Sequence, residues 1–221
     1  MNSQKPLINL CNVSLVREQR TILSDINFAV NRGDFVVITG PNGGGKTTLM
    51  RLMLKLIKPT SGTISYHSLG SIGYLPQKNM IDSHFPISVR EVIESGLISA
   101  GVSKAESTLR TDEILELLSL QSHAAAPIGR ISGGQLQRTL LGRAIISKPE
   151  MLFLDEPLSY LDKHFEEVTY DLLRKLSQST TILLVSHEIT KIAPMATRHI
   201  IVDRTLHECL SDHHAFVSTC D

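Results

Sequence analysis

The sequence predicts an α/β fold with a mainly parallel core sheet, an antiparallel β layer before it and an inserted helical segment. Residues 7–38 alternate strand-like apolar runs with polar turns, and residues 89–146 place apolar side chains at helical spacing. Further along the chain, short apolar runs return between helical segments, which is typical of parallel sheets covered by helices. We therefore expect one domain, with an α/β core at 1–77 and 147–221 and a helical subdomain at 78–146.

Individual elements follow from apolar runs and helix breakers. A strand at 35–38 leads into a helix at 46–57, which ends before Lys58 and Pro59. The clearest helix outside the helical segment spans 165–176. Further strands are predicted at residues 63–66, 71–75, 151–154, 182–185 and 199–202.

A glycine-rich stretch, GPNGGGKTT, lies between the strand at 35–38 and the helix after it. It fits G-x-x-x-x-G-K-[ST], the phosphate-binding loop of nucleoside triphosphatases, and predicts a P-loop NTPase core. Its backbone N–H groups can converge on a polyphosphate, and the helix adds its positive end. Lys46 would supply charge to the outer phosphates, and the Thr47 hydroxyl would ligate Mg²⁺. The loop residues predicted to bind nucleotide are Gly40, Pro41, Asn42, Gly43, Gly44, Gly45, Lys46, Thr47 and Thr48.

A second motif, MLFLDEP, is an apolar strand that ends in two carboxylates. Asp155 at the strand end suits a water-mediated Mg²⁺ contact. Glu156 is one residue further and can polarise the attacking water. After a P-loop, this pair predicts hydrolysis of the bound nucleotide.

A third motif, RISGGQLQR, predicts a second anion-binding nest at the start of a helix. A single chain has little use for two phosphate nests unless two chains share each nucleotide. The pattern therefore favours a head-to-tail homodimer that holds each nucleotide between Lys46 of one chain and the nest of the other. The residues of the predicted nest are Ser132, Gly133, Gly134 and Gln135.

Six motifs stand in the order of one family, and on them the chain resembles the ATP-binding subunit of an ABC transporter. They are GPNGGGKTT, the glutamine of SIGYLPQ, ISGGQ, FLDEP, SYLD and the Ser-His pair at 186–187. The resemblance implies that Gln77 contacts Mg²⁺ and senses a transmembrane partner. It also implies that Asp162 is the D-loop aspartate and that His187 is the switch histidine near the γ-phosphate.

The resemblance further implies the activity and the partners. ATP bound with Mg²⁺ would close the dimer and its hydrolysis would open it, and this cycle would drive solute import through a separate permease, with a substrate-binding protein as a further partner. The subunit would lie at the cytoplasmic face of the membrane. Residues 72–96 resemble the corresponding segment of bacterial importers for zinc, manganese and iron, which favours a divalent metal. Import of an iron-siderophore or vitamin B12 is the alternative.

The chain departs from the family pattern in two places. Ile131 begins the ISGGQ motif, the family's signature, where the family usually has Leu, and this apolar exchange should be tolerated. The family usually stacks adenine on an aromatic residue upstream of the P-loop, but the first aromatic residue of this chain is Phe28. The position that aligns best is Arg17, with Val16 beside it. Arg17 is therefore the candidate for contact with the base.

Other classes of protein fit the sequence less well. DNA-repair ATPases of the ABC type carry a long coiled-coil insertion, whereas only residues 78–131 separate Gln77 from Ser132. Ribosome-acting members carry two such domains in one chain. A P-loop kinase or GTPase has no use for ISGGQ, and the chain has no N-K-x-D motif.

Composition limits the partners. Lys and Arg together number 22, as do Asp and Glu, so a neutral balance disfavours nucleic acid as the main partner. Three irregularly spaced cysteines indicate reduced thiols. No apolar run approaches the roughly 20 residues of a membrane span. A metal-sensing role stays open for the last His and Cys residues, His207, Cys209, His213, His214 and Cys220, although their spacing is not that of a recognised closed site.

Overall fold

The computed structural model describes residues 5–77, 85–187 and 190–209. Its strands are β1 (Ile8–Arg17), β2 (Arg20–Val30), β3 (Phe35–Thr39), β4 (Ser61–Tyr66), β5 (Ile72–Leu75), β6 (Met151–Asp155), β7 (Thr181–Val185), β8 (Arg198–Asp203) and β9 (Thr205–Glu208). Its helices are α1 (Lys46–Met53), α2 (Val89–Glu94), α3 (Lys104–Leu117), α4 (Gly133–Ile145) and α5 (Lys163–Leu176).

The chain divides into two units, residues 1–69 with 174–221, and residues 70–173. The first unit holds the antiparallel layer, the strand before the P-loop and the strands that flank it. The second holds β5, β6 and α2 to α4. The limits of the helical subdomain at 78 and 146 stay a prediction.

Most of the predicted elements lie within one or two residues of the observed ones. The helix predicted at 46–57 is shorter, because it ends at Met53. Leu54 caps it, and Lys55 adopts the left-handed conformation with φ 59°, which an α-helix cannot continue through. The edge strand β9 was not predicted.

The predicted antiparallel layer is present in the first unit, in the order β2-β1-β4. β1 and β2 form a hairpin whose end pairs Arg17 with Arg20. Glu18 and Gln19 form its two-residue turn with φ of 48° and 61°, as a type I′ turn requires. The turn directly follows Arg17, the candidate base-contacting residue at the end of β1.

The parallel sheet of the first unit has the order β7-β3-β8-β9, with β9 antiparallel at the edge. β3 pairs with β7 on one side and with β8 on the other. All five residues of β3 are buried, as the continuous apolar run predicted for a strand covered on both faces. The P-loop begins directly after this central strand.

In the second unit, β5 and β6 pair in parallel, α4 packs against β5, and α2 packs against α3 and α4. Capping boxes start two of these helices, Ser88 with Glu91 at α2 and Ser132 with Gln135 at α4. The Ser88 hydrogen bonds lower the pKa of the Glu91 carboxyl. Of the helices in the described residues, none is long and apolar enough to cross a membrane.

Candidate nucleotide-binding and catalytic site

The P-loop lies against the β8–β9 hairpin. Gly40 has φ 133°, and a Cβ atom added there would overlap the carbonyl oxygen of Val202, so only glycine fits. The N–H of Arg204 donates to the carbonyl of Gly44 (2.9 Å), and the Arg204 carbonyl accepts from the N–H of Ser24 (2.6 Å). The turn between β8 and β9 therefore fixes the loop to β2 through residues outside the motif.

Lys46 is the first residue of α1 and is only 6% exposed. Its Nζ donates to the carbonyls of Gly40 and Pro41, both at 2.9 Å. The lysine charge is thus held over the loop, at the positive end of a helix, where an anion would be stabilised. The structure brings together the lysine and the loop that the sequence predicted, while their contact with phosphate stays a prediction.

The strand end before the loop is tied to β8. The Thr39 hydroxyl and Nε2 of His199 lie 2.7 Å apart. Burial lowers the pKa of the His199 imidazole, which keeps the ring neutral at neutral pH. This contact orients the last residue of β3 without placing a charge beside the P-loop.

The other candidates of the first unit lie at strand ends. Arg17 and Val16 are exposed at the end of β1, and Val16 is 42% exposed although it is apolar. His187 is exposed two residues after β7. These positions leave all three side chains accessible to a ligand.

In the second unit, Asp155 ends β6 and is 1% exposed. The next residue, Glu156, has φ 54°, a left-handed conformation that non-glycine residues adopt at a cost of roughly 1–2 kcal/mol. Its carbonyl accepts from Nε2 of Gln137 (3.0 Å) and from the N–H of Ser159 (3.3 Å). Its carboxylate accepts from the Ser159 hydroxyl (3.3 Å). The surrounding chain therefore holds both the backbone and the carboxylate of the predicted base.

The predicted nest is the N-terminus of α4. Ser132 is exposed and caps the helix, accepting from the N–H of Gln135 (3.2 Å), while Oε1 of Gln135 accepts from the N–H of Ser132 (2.8 Å). Nε2 of Gln135 also lies 2.9 Å from Nε2 of His123. The first turn of α4 is therefore held by hydrogen bonds of its own side chains.

The remaining predicted residues have different surroundings. Oδ1 of Asp162 accepts from the N–H of Phe165 (2.9 Å), so the predicted D-loop aspartate caps the start of α5. Gln77 is half-buried, two residues after β5. Both stay predictions as ligand-binding residues.

The residues predicted to hold Mg²⁺ fit that ion by their chemistry. Thr47 offers a hydroxyl, Gln77 a carboxamide oxygen and Asp155 a carboxylate, all hard oxygen donors of the kind Mg²⁺ prefers. Among the described residues there is no cluster of three or more His, Cys, Asp or Glu that could hold a metal ion by itself. His213, His214 and Cys220 of the proposed sensor lie outside the described residues.

Gln137, which donates a hydrogen bond to the Glu156 carbonyl, was not predicted as a site residue from the sequence. On α4 it shares the buried stripe with Leu140, Leu141 and Ala144, at helical spacing. A polar side chain inside an apolar stripe was the available signal.

A P-loop after the central strand of a parallel sheet, together with a strand that ends in two carboxylates, defines a P-loop nucleoside triphosphatase. Residues 23–159 match the family model described as ABC transporter. The chain belongs to this family. The predictions of the family, of the fold class and of ATP hydrolysis as the activity are confirmed.

Similar proteins cover most of the chain. The zinc import ATP-binding protein ZnuC of Pasteurella multocida is 36% identical over 206 residues, which is 92% of this chain and 75% of that protein. ZnuC of Haemophilus influenzae is 38% identical over 189 residues, 85% of this chain and 68% of that protein. The ATP-binding cassette MJ0796, a dimer in a post-hydrolysis state bound to ADP and Pi, has a TM-score of 0.81 and 26% identity, covering 91% of this chain and 97% of that one.

Proposed function

We propose that this chain is the ATPase of an importer for a divalent metal ion, with zinc the first candidate. The observation that carries the choice of substrate is the similarity to zinc import ATP-binding proteins over 92% of the chain. The permease and a substrate-binding protein would be separate chains, and the subunit would work at the cytoplasmic face of the membrane. The segment predicted to resemble metal importers, 72–96, lies partly outside the described residues.

The hydrolytic step would use the charged residues that the motifs predicted. Lys46 would neutralise charge on the outer phosphates, Glu156 would polarise the attacking water, and His187 would contact the γ-phosphate. Mg²⁺ would be held by Thr47, Gln77 and, through water, by Asp155, and would supply charge stabilisation on the phosphate oxygens.

Dimerisation around ATP would complete each site. The first turn of α4 has backbone N–H groups without intrahelical acceptors, and its axis adds partial positive charge, so it suits the phosphates of a nucleotide bound to a second copy. The dimeric state of the similar cassette MJ0796 supports this arrangement. ATP would then join the two chains, and loss of the γ-phosphate would release them.

The second unit has an open cavity that suits the permease. It has a volume of about 960 Å³ and lies between β5, the end of α2 and α4. Ile98, one of its lining residues, is 83% exposed and offers an apolar side chain to a partner. Arg143 in its wall donates to the Tyr74 carbonyl (3.3 Å), and burial lowers the pKa of its guanidinium. We assign this cavity to a cytoplasmic segment of the permease.

The proposal is tested by deletion and complementation. Cells that lack the gene should take up less zinc and grow poorly under chelation, and the wild-type gene should restore both. Glu156→Gln should fail to restore uptake, because the variant keeps the shape of the site but loses the base. Normal zinc, manganese and iron content together with lost siderophore or cobalamin uptake would assign the alternative substrate.

A further inference from the structure

The buried carboxamide of Gln137 contacts the candidate catalytic residue directly. Gln137 is 2% exposed, and its Nε2 donates to the carbonyl of Glu156 at 3.0 Å. Its Oε1 is buried and has no hydrogen-bond partner among the described residues. A buried acceptor left unsatisfied costs about 1–3 kcal/mol, so this glutamine is a poor choice for stability alone.

The contact acts on a backbone that needs support. The left-handed φ of 54° at Glu156 is unfavourable for a residue with a Cβ atom, and it sets the direction in which the carboxylate leaves the chain. Gln137 and the N–H of Ser159 both donate to the Glu156 carbonyl. One donor comes from the following turn and the other from a helix distant in sequence.

The same helix meets the following turn at a second point. A Cβ atom added at Gly134 would lie 2.9 Å from the Tyr160 carbonyl, closer than real side chains approach. The first turn of α4 therefore lies directly on the turn that follows Glu156. A ligand bound at the N-terminus of α4 would therefore contact a helix that touches this part of the chain at two points, Glu156 and Tyr160.

We propose that Gln137 is a positioning residue for Glu156: it holds the Glu156 peptide in its left-handed conformation and links that conformation to α4. In a dimer that shares its nucleotides, ATP bound by the partner would dock on Ser132, and the same helix would fix the base that serves the chain's own ATP. This inference rests on the proposed role of Glu156 and adds a link between the two ATP sites.

The test measures steady-state ATP hydrolysis by purified full-length protein. Gln137→Met keeps the length and most of the volume of the side chain but removes the donor. We expect kcat to fall by about 10- to 100-fold with KM within about threefold, because a misdirected base slows the chemistry and not the binding. The thermal midpoint should stay unchanged or rise, since the unsatisfied Oε1 is removed as well.

Thr139→Val is the matched control. Thr139 is also buried on α4, and its hydroxyl donates to the Gln135 carbonyl (2.8 Å), within its own helix. Its loss should leave kcat within about twofold, because it does not touch Glu156. If both variants lowered kcat equally, the effect would belong to the helix and not to the Glu156 contact.

A double-mutant cycle separates a role through Glu156 from any other role. Single-turnover hydrolysis is measured with γ-labelled ATP in Glu156→Gln, with and without Gln137→Met. If Gln137 acts by aiming the base, the second change should add less than about twofold once the base is gone. An equal loss in both backgrounds would refute the inference.

Gln137→Leu replaces the Met variant should the latter fail to fold. A folded Met or Leu variant with wild-type kcat overturns the inference while leaving the proposed function standing. A wild-type protein that hydrolyses no ATP would instead refute the proposed function, so the two failures are distinct.

Discussion

Replacing Arg198, which lies outside every sequence motif, should destabilise the first unit. The guanidinium of Arg198 joins three segments: it donates to Asp34 (2.8 Å), to the Ala29 carbonyl (2.6 Å) and to both carboxylate oxygens of Glu208 (2.5 and 2.9 Å). It also lies 4.7 Å from the centre of the Phe28 ring. The proposed change is Arg198→Met, which retains the apolar stem and removes every donor.

The size of the expected stability loss follows from the burial of these side chains. The side chain of Arg198 is 21% exposed, and those of Asp34 and Glu208 are 14% and 33% exposed, so these pairs are neither fully solvated nor dry. Hydrogen bonds to charged groups contribute about 1.5–3 kcal/mol each, and exposure reduces the Glu208 pair toward about 1 kcal/mol. With the Asp34 and Ala29 hydrogen bonds taken at the low end of that range, we expect a loss of about 4 kcal/mol, which for a chain of this size is roughly 8–16 °C in thermal midpoint.

The pH dependence gives a second readout. Hydrogen bonding to Arg198 lowers the pKa of the Glu208 carboxyl, and hydrogen bonding to Glu208 raises that of the guanidinium. A lowered carboxyl pKa stabilises the folded state above the unfolded value of about 4.3, and this contribution is lost as the pH falls through the folded value. The difference in the free energy of unfolding between wild type and Arg198→Met should therefore have its full size at pH 7 and decrease below about pH 4.

The assay is urea unfolding at pH 7 and at several acidic values, with Arg20→Met as the control because Arg20 is exposed at the β1–β2 hairpin. A loss below about 0.5 kcal/mol at pH 7 would refute the reasoning. A difference that grew toward acid would contradict the assigned Glu208 pairing.

Three further predictions concern nucleotide, dimer and permease. Arg17→Tyr should tighten binding of a fluorescent ATP analogue about tenfold, since an aromatic face stacks on adenine, and Arg17→Ala should weaken it; equal affinities for wild type and the alanine variant would show that Arg17 does not stack. Lys46→Ala and Ser132→Ala proteins should each be inactive but regain partial ATPase activity when mixed, because one composite site is then intact; a fully active Ser132→Ala protein would rule out shared sites. Ile98→Asp should abolish zinc uptake in cells while the isolated subunit keeps its ATPase activity, and unimpaired uptake would remove the cavity from the permease contact.

The buried strands could be predicted because each is a continuous apolar run. β3, β6 and β7 are buried throughout, so the local sequence and the tertiary environment favour the same structure. β9 could not be predicted in this way. Its residues are mostly exposed and polar, and it becomes a strand because it pairs with β8 at the edge of the sheet.

The motif residues of the candidate site were accessible to sequence reasoning, whereas their supports were not. Arg204 holds the P-loop through its backbone N–H, a group that every residue but proline carries, so no side-chain pattern reports this contact. The bond from Gln137 to Glu156 joins residues 19 positions apart. Such pairings depend on how helices and strands pack, which local periodicity does not determine.

The position of β3 has a consequence for synthesis on the ribosome. This strand is made early, yet its two sheet neighbours, β7 and β8, are contributed by residues 181–185 and 198–203. The strand that leads into the P-loop therefore emerges with neither edge paired, and it gains its partners only after residues 181–203 have been translated. Contacts this distant in sequence slow folding, because a long loop must close before they form. A ribosome-stalled fragment that ends before residue 181 would thus expose both edges of an apolar strand, which makes the nascent chain a natural client for chaperones.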